Sequence, residues 1–374
     1  MKNKFAFMIF SILFSVMIAG VLYLGVRSAF IFQCKPYIFF LLYGLMLFLS
    51  FGMMMAGMNM KNSGLFMHTL YILGNILVGV LLYLLFSFVF FDIINIFVHF
   101  KPKVFGIMAF LVAFSLSICS MIIAASPRIK NVNISLKNLS EPLKVVHLTD
   151  IHLGHYRGKQ NLERIVKLTK EQNPDFVVIT GDLFESEYNL NEETLKPLKE
   201  IQVPIYFVDG NHDLYTNDAK IKELVTKSGV IVLENQKIEN NGIQIIGLDY
   251  MDADNNSTED VVPHEAKSQT IRNTMPLFAI DSTKPTIVLH HSPIGGKFIA
   301  EAGADLFLAG HTHGGQLFPL TIINSYLFEF NKGLYNKYGM QIYVSCGTGT
   351  FGPPMRLCTA SEISVLNLNP ANNR

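Results

Sequence analysis

Lys144-Val145-Val146-His147-Leu148-Thr149-Asp150-Ile151-His152 is a short apolar run that stops on a carboxylate and an imidazole. A run this short and this rich in Val and Leu reads as a buried strand, and its end as a ligand. The pattern repeats along the chain. Residues 176–180 lead into Gly181-Asp182, and 205–208 into Gly210-Asn211-His212-Asp213. Residues 286–290 lead into His291-Ser292-Pro293, and 305–309 into Gly310-His311-Thr312-His313-Gly314-Gly315. Amphipathic helical periods such as 162–172 separate several of these runs, which predicts an α/β layered domain. Asn241-Gly242, between 236–238 and 243–248, is a hairpin signal and adds antiparallel content, so the sheet is expected to be mixed.

Open α/β sheets hold their ligands outside the C-terminal ends of their strands. The five strand ends therefore deliver Asp150, His152, Asp182, Asn211, His291, His311 and His313 to one crevice. Carboxylate with imidazole suits divalent ions such as Mn, Fe, Zn or Co, and the absence of thiolate from the set argues against a structural zinc. Seven ligands exceed what one such ion takes. Two ions about 3.5–4 Å apart would use them all, an arrangement suited to phosphoryl displacement.

The N-terminal third has a different character. The chain has 374 residues, 50% hydrophobic and 16% charged, with a mean hydropathy of +0.33. The long apolar runs lie within residues 1–126, whereas nine of the 11 histidines follow them. Four stretches, 5–26, 36–60, 62–91 and 104–127, carry no charge and reach the length of about 20 residues that crosses a bilayer core. Arg27, Lys35, Lys61, Asp92, Lys101 and Lys103 mark the breaks, expected as short loops. Three further spans after the first distinguish an integral, multi-pass cell-membrane anchor from a cleaved signal. With no acidic residue expected inside a span, the lone polar His68 and Asn75 read as inter-helix hydrogen-bonding groups, and the spans as an anchor without an ion relay. Residues 127–142, polar and bounded by Pro127 and Pro142, read as a linker. The expected organisation is a four-helix transmembrane anchor over 1–126, a linker over 127–142 and a hydrolase domain over 143–374.

A net charge of +1 offers no basic stripe for nucleic acid, and no protein partner is implied; the bilayer is the partner expected. Cys34, Cys119, Cys346 and Cys358 are too few and scattered for a disulfide framework. His147 is expected in the core. His290 points away from the face that His291 presents. His155, just past Asp150-Ile151-His152, is a candidate for facing substrate. Arg356, in the glycine- and proline-rich loop 347–357, is a candidate for a substrate phosphate, since its planar fork matches phosphate oxygens.

In this order D-x-H (150–152), G-D (181–182), G-N-H-D (210–213), H-x-P (291–293) and G-H-x-H (310–313) resemble the calcineurin-like metallophosphoesterase superfamily, over residues from about 144 to the C-terminus. The segments 310–316 and 347–357 further resemble its branch of bacterial membrane-associated or exported phosphodiesterases, which includes lipid-processing pyrophosphatases. The resemblance implies a β-sandwich of two mixed sheets flanked by helices. It implies one metal on Asp150, His152 and His313, a second on Asn211, His291 and His311, and Asp182 bridging them. His212 would protonate the leaving oxygen, and Asp213 would orient His212. The implied reaction is hydroxide attack on a phosphodiester or pyrophosphate bond of a lipid or lipid-linked substrate; a phosphomonoester would use the same metals. The positive charges flanking the spans lean toward a cytoplasmic catalytic domain.

Overall fold

The computed structural model describes residues 2–59, 64–255 and 269–371. Lys61, read above as a break, lies outside the described residues. Contacts divide the chain into two units: one gathers the helices through Ala125 with the segment Gly352–Leu357, and the other begins at Ser126.

The helical unit contains α1 (Lys2–Phe32), α2 (Pro36–Asn59), α3 (Leu65–Val98) and α4 (Pro102–Ala125). Among the described residues three stretches are long and apolar enough to cross a membrane, Ser15–Phe32, Leu65–Val98 and Pro102–Ala125; that of α2, Pro36–Ser50, is shorter. Two expected breaks are helical. Arg27 lies inside α1 and Asp92 inside α3, and the Arg27 Nε donates to both Asp92 oxygens at 2.9 Å while Tyr23 OH donates to Oδ2. Paired in this way, charge is tolerated within a helix that otherwise favours apolar residues. Asn75 donates to Tyr71 O one turn back in its own helix at 3.0 Å, not across a helix pair.

The second unit is a sandwich of two six-stranded mixed sheets. The first is built from β1 (Arg128–Leu136), β2 (Leu143–Leu148), β3 (Phe176–Thr180), β4 (Ile205–Val208) and β5 (Ile231–Val232). The second takes β6 (Gln236–Asn240), β7 (Ile243–Gly247), β8 (Thr286–Leu289), β9 (Leu306–Ala309), β10 (Gly333–Lys337) and β11 (Met340–Val344). The last strand, β12 (Glu362–Pro370), returns to the first sheet, giving the orders β1-β12-β2-β3-β4-β5 and β10-β11-β9-β8-β7-β6. The expected linker is thus corrected. Arg128–Leu136 is a strand running parallel to β12, and only Ser126 and Pro127 separate it from α4. Its alternation of exposed Asn131, Asn133 and Ser135 with inward Val132, Ile134 and Leu136 is that of an edge strand, half of whose side chains face solvent.

Val145, Phe176, Val178 and Tyr206 of one sheet pack against Ile243, Ile245, Ile287, Leu306 and Tyr343 of the other. On the outer faces lie α5 (Lys159–Lys170), α6 (Glu192–Leu195) and α7 (Asn211–Lys227) over the first sheet, burying Leu162, Ile165, Leu195, Ile221 and Leu224. Over the second lie α8 (Ile271–Thr274) and α9 (Gly296–Glu301), burying Ile271 and Ile299. The last helix, α10 (Leu320–Leu327), buries none of its residues. β6 and β7 form the expected hairpin, turned by Asn241 (φ 50°) and Gly242 (φ 74°), the two positive φ values that a type I′ turn needs.

Candidate metal centre

Parallel strands β2, β3 and β4 of the first sheet end two or three residues before Asp150, Asp182 and Asn211, and β8 and β9 of the second two residues before His291 and His311. The backbone at these ends is bent sharply. Asp150 (φ 51°), His152 (52°), Asp182 (51°), His311 (70°) and His313 (50°) all occupy the left-handed region, which costs a non-glycine residue energy and persists only where the surroundings enforce it. Here the enforcement is hydrogen bonding: Asp150 N donates to Gly181 O (3.1 Å), His152 N to Asp182 O (3.0 Å) and Gly310 N to His291 O (2.8 Å). Glycine is required at Gly210, where a Cβ would strike Asp182, and at Gly310, where it would strike Thr149 and Asp150.

Two ligand groups result. Asp150, His152 and His313 converge in one, and Asp182, His291 and His311 in the other. His291 Nε2 lies 3.1 Å from Asp182 Oδ2 and 3.9 Å from Asp150 Oδ1, and His152 Nε2 lies 3.7 Å from Asp182 Oδ2, so the carboxylates face both groups. The set fits cations. His152 Nε2 and His313 Nε2 stand 3.1 Å apart with Asp150 Oδ1 at 3.4 Å from the latter, a cluster rich in lone pairs. Asn211 Oδ1 is buried without a hydrogen-bond partner among the described residues, an expensive state for an amide oxygen. His291 Nδ1 lies 2.7 Å from Thr180 O, which makes Nδ1–H the donor and leaves Nε2 for the ligand role.

Electrostatics agree. Burial pushes the Asp150 carboxyl up to about 6, with the Asp182 charge adding to it and His291 opposing. Burial would lower His291, yet Asp182 and Asp150 outweigh it and raise the imidazole to about 10. Asp182 is also buried, but the His291 and His212 rings beside it hold its carboxyl well below the usual range. Burial lowers His311 to about 3, with His291 beside it acting the same way. Two carboxylates thus draw positive charge into the pocket, while His311 is kept neutral.

His212 belongs to neither group. It is half-buried on the first turn of α7, its ring edge-on to His152 (4.9 Å, 83°) and to Phe351 (5.0 Å, 61°). Its backbone N–H donates to Asp182 Oδ1 at 2.8 Å. Asp213 does not orient it. The Asp213 carboxylate accepts Gly210 N (3.0 Å), Phe184 N (3.0 Å) and Leu183 N (3.3 Å), and burial raises it to about 8. Successive helical residues point about 100° apart, which turns Asp213 inward when His212 faces the crevice. Two further candidates are buried. His155 has its ring stacked on Tyr188 (4.4 Å, 16°). Arg356 lies in the helical unit and is wholly buried, with its backbone N–H on Ser120 O (2.9 Å). His147 is buried as expected, and His290 turns from the ligand cluster to stack on Tyr250 (5.7 Å, 2°).

Sequence reasoning missed Phe351, Tyr250 and the pair Asp209–Lys222. Asp209 Oδ1 accepts Tyr250 N (2.7 Å) and Oδ2 meets Lys222 Nζ (2.9 Å), which also meets Glu234 (2.8 Å) and Asp218 (3.0 Å). Tyr250 in turn borders His291 and His311 at 5.9 and 6.3 Å. The position of Asp209, next to Gly210-Asn211, was the available signal.

Residues 143–315 match the family model described as calcineurin-like phosphoesterase. An uncharacterized metallophosphoesterase of Helicobacter pylori is 34% identical over 66% of this chain and 65% of its own length. A transmembrane protein with metallophosphoesterase domain of Danio rerio is 33% identical over 71% of this chain and 63% of its own. An uncharacterized metallophosphoesterase of Aquifex aeolicus is 30% identical over 62% of this chain and 87% of its own. The chain spans somewhat less than two thirds of the length of the first two.

Proposed function

The chain belongs to the calcineurin-like phosphoesterase family, and from that premise we propose that it is a membrane-anchored phosphohydrolase that cleaves a phosphodiester or pyrophosphate bond with two divalent metals. The observation that carries this is the pair of three-ligand groups with the two carboxylates facing both. Asp150, His152 and His313 would hold one ion, Asn211, His291 and His311 the other, with Asp182 between them. Bound there, the ions supply a hydroxide nucleophile and neutralise charge on the phosphoryl oxygens. His212, at the rim and outside both groups, gives its ring proton to the leaving oxygen. Asp213 ties the β3 and β4 ends together through Leu183, Phe184 and Gly210, and so fixes where Asp182 stands. The experiment is hydrolysis of a chromogenic phosphodiester, a phosphomonoester and a pyrophosphate by the full chain after metal stripping and after adding back manganese, iron, zinc or cobalt. Turnover that survives stripping would overturn the two-metal reading, and a rate confined to the monoester would overturn the bond assignment.

We further propose an amphiphilic substrate, such as a phospholipid or lipid-linked nucleotide, and a cytoplasmic active site. The apolar helices and the two-residue connection between α4 and β1 support the first. Such a tether reaches about 10 Å when extended, and tethering raises the local concentration of a membrane-borne substrate without any new contact. For the second, Lys2, Lys4, Lys61, Arg128, Lys130 and Lys137 outnumber Lys35, Lys101 and Lys103 opposite, once Arg27 is neutralised by Asp92. Preference for soluble diesters over every lipid offered in mixed micelles would remove the first; digestion of the catalytic unit by protease added to intact cells would remove the second.

A further inference from the structure

From Gly314 to Phe328 the chain carries no charged residue, and within that stretch α10 presents an apolar surface that nothing in its own unit covers. One face of α10 is spent on the unit. Asn324 Nδ2 donates to Asn331 Oδ1 (2.5 Å) and Thr312 O (3.2 Å), and Thr321 N donates to Leu317 O (3.2 Å). The rest points out: Ile322 is 50% exposed, Ile323 53%, Leu327 64% and Tyr326 85%, with Phe318 and Leu320 also exposed. Contiguous exposed residues of this size mark an interaction surface on a soluble unit.

We propose that α10 and Phe318 seat in the headgroup–acyl boundary of the bilayer that carries the chain's own helices, a docking surface for lipid. Three observations select lipid over a protein. The surface is uncharged and carries Tyr326 and Phe318, the amphipathic and aromatic types that favour a membrane interface. Of its polar side chains, Asn324 is spent on Asn331 and Thr312, and Ser325 Oγ on Ile322 O of its own helix, so a partner would find little to hydrogen-bond. The unit bearing it follows α4 after two residues, so an apolar phase is always within reach, whereas a second protein would have to be recruited. The helix is also joined to the metal centre at both ends, because it follows Thr312 and His313 and precedes Phe328, whose ring meets that of His311 at 5.8 Å. Seating α10 therefore holds the crevice against the lipid surface. This inference needs no turnover, and stands or falls apart from the substrate reading.

The sequence has no tryptophan, so Tyr326→Trp in the full chain, reconstituted into phosphatidylcholine vesicles, reports from one place. Vesicles whose acyl chains carry bromine should quench its emission about twofold or more relative to unbrominated vesicles, as expected for a side chain 5–10 Å into the boundary. Glu163→Trp, on the charged face of α5, should give equal emission in both. Adding Ile323→Glu to Tyr326→Trp should remove most of the quenching. Equal emission from Tyr326→Trp in the two kinds of vesicle overturns the proposal. So does a blue-shifted but unquenched signal, which would mean a second copy or another protein on this face, and so does quenching that Ile323→Glu leaves unchanged.

Discussion

The two sheets of the catalytic unit contribute to the metal centre in different currencies. The first sheet, through β2, β3 and β4, brings both carboxylates, the amide Asn211 and two imidazoles, His152 and His212. The second, through β8 and β9, brings only imidazoles: His291, His311 and His313. Negative charge is thus concentrated in the half of the unit made first, and nitrogen donors in the half made later. Neither sheet alone assembles a complete ligand group, since Asp150 and His152 need His313, and Asp182 needs His291 and His311. The difference teaches that the packing between the sheets, through Val145, Phe176, Ile245 and Tyr343, is also what sets the distance between ligands.

The largest effect is expected from the carboxylate that faces both groups. Asp182→Asn should abolish turnover and lower the metal content of the purified protein toward one ion or none, as measured by elemental analysis. Full activity in this variant would break the view that the first sheet supplies the charge. His212→Ala should leave metal content near the wild-type level and reduce kcat by about 10² to 10⁴; loss of metal instead would move His212 among the ligands.

A smaller effect should follow from Lys222→Met. Burial works against its ammonium, but Asp209, Glu234 and Asp218 outweigh that and keep it charged. Removing the charge leaves the buried Asp209 uncompensated, and through Tyr250 and Asn211 should weaken one metal about 10–100-fold, the usual worth of a residue supporting a ligand. Calorimetric titration should show one of two sites affected, with Lys222→Arg restoring much of the loss. Equal weakening of both would mean general loosening of the fold.

The smallest effect tests the joint between the sheets. His147 of β2 lies edge-on to Tyr343 of β11 (6.0 Å, 72°), and burial lowers it to about 3. Its unfolded value is about 6.5, so the folded chain holds fewer protons below that pH than the unfolded chain does. The stability from this group is complete above pH ~6.5 and declines as pH falls toward 3. His147→Gln should therefore flatten the fall in melting temperature between pH 6.5 and 5; an unchanged slope would assign that fall to other groups.

Much of this was legible beforehand, for reasons that differ by element. The runs ending at Leu148, Thr180, Val208, Leu289 and Ala309 are covered on both faces, so they are mostly apolar and stop within two residues of a glycine or a candidate ligand. β1 and β10 were not legible because edge strands mix polar with apolar residues, and the polarity of 127–142 resembles that of a linker. Arg27 and Asp92 looked like helix breaks because the residue that neutralises each is 65 positions away. The direction of Asp213 depends on a side-chain angle within one helical turn, which spacing in sequence leaves open, and Asp209 meets Lys222 only because α7 folds back beside β4.

The position of β12 has a consequence for timing. The strand nearest the C-terminus in sequence lies between β1 and β2, as an inner member of the first sheet. While the ribosome is still making the chain, β1 has no neighbour to pair with, and β2, which carries Asp150, is open along one edge. The helices precede this region and can enter the bilayer long before then. A nascent product lacking β12 would be delivered to the membrane with its hydrolase unfinished, so that the emergence of this strand acts as the switch from an inert passenger to a working enzyme.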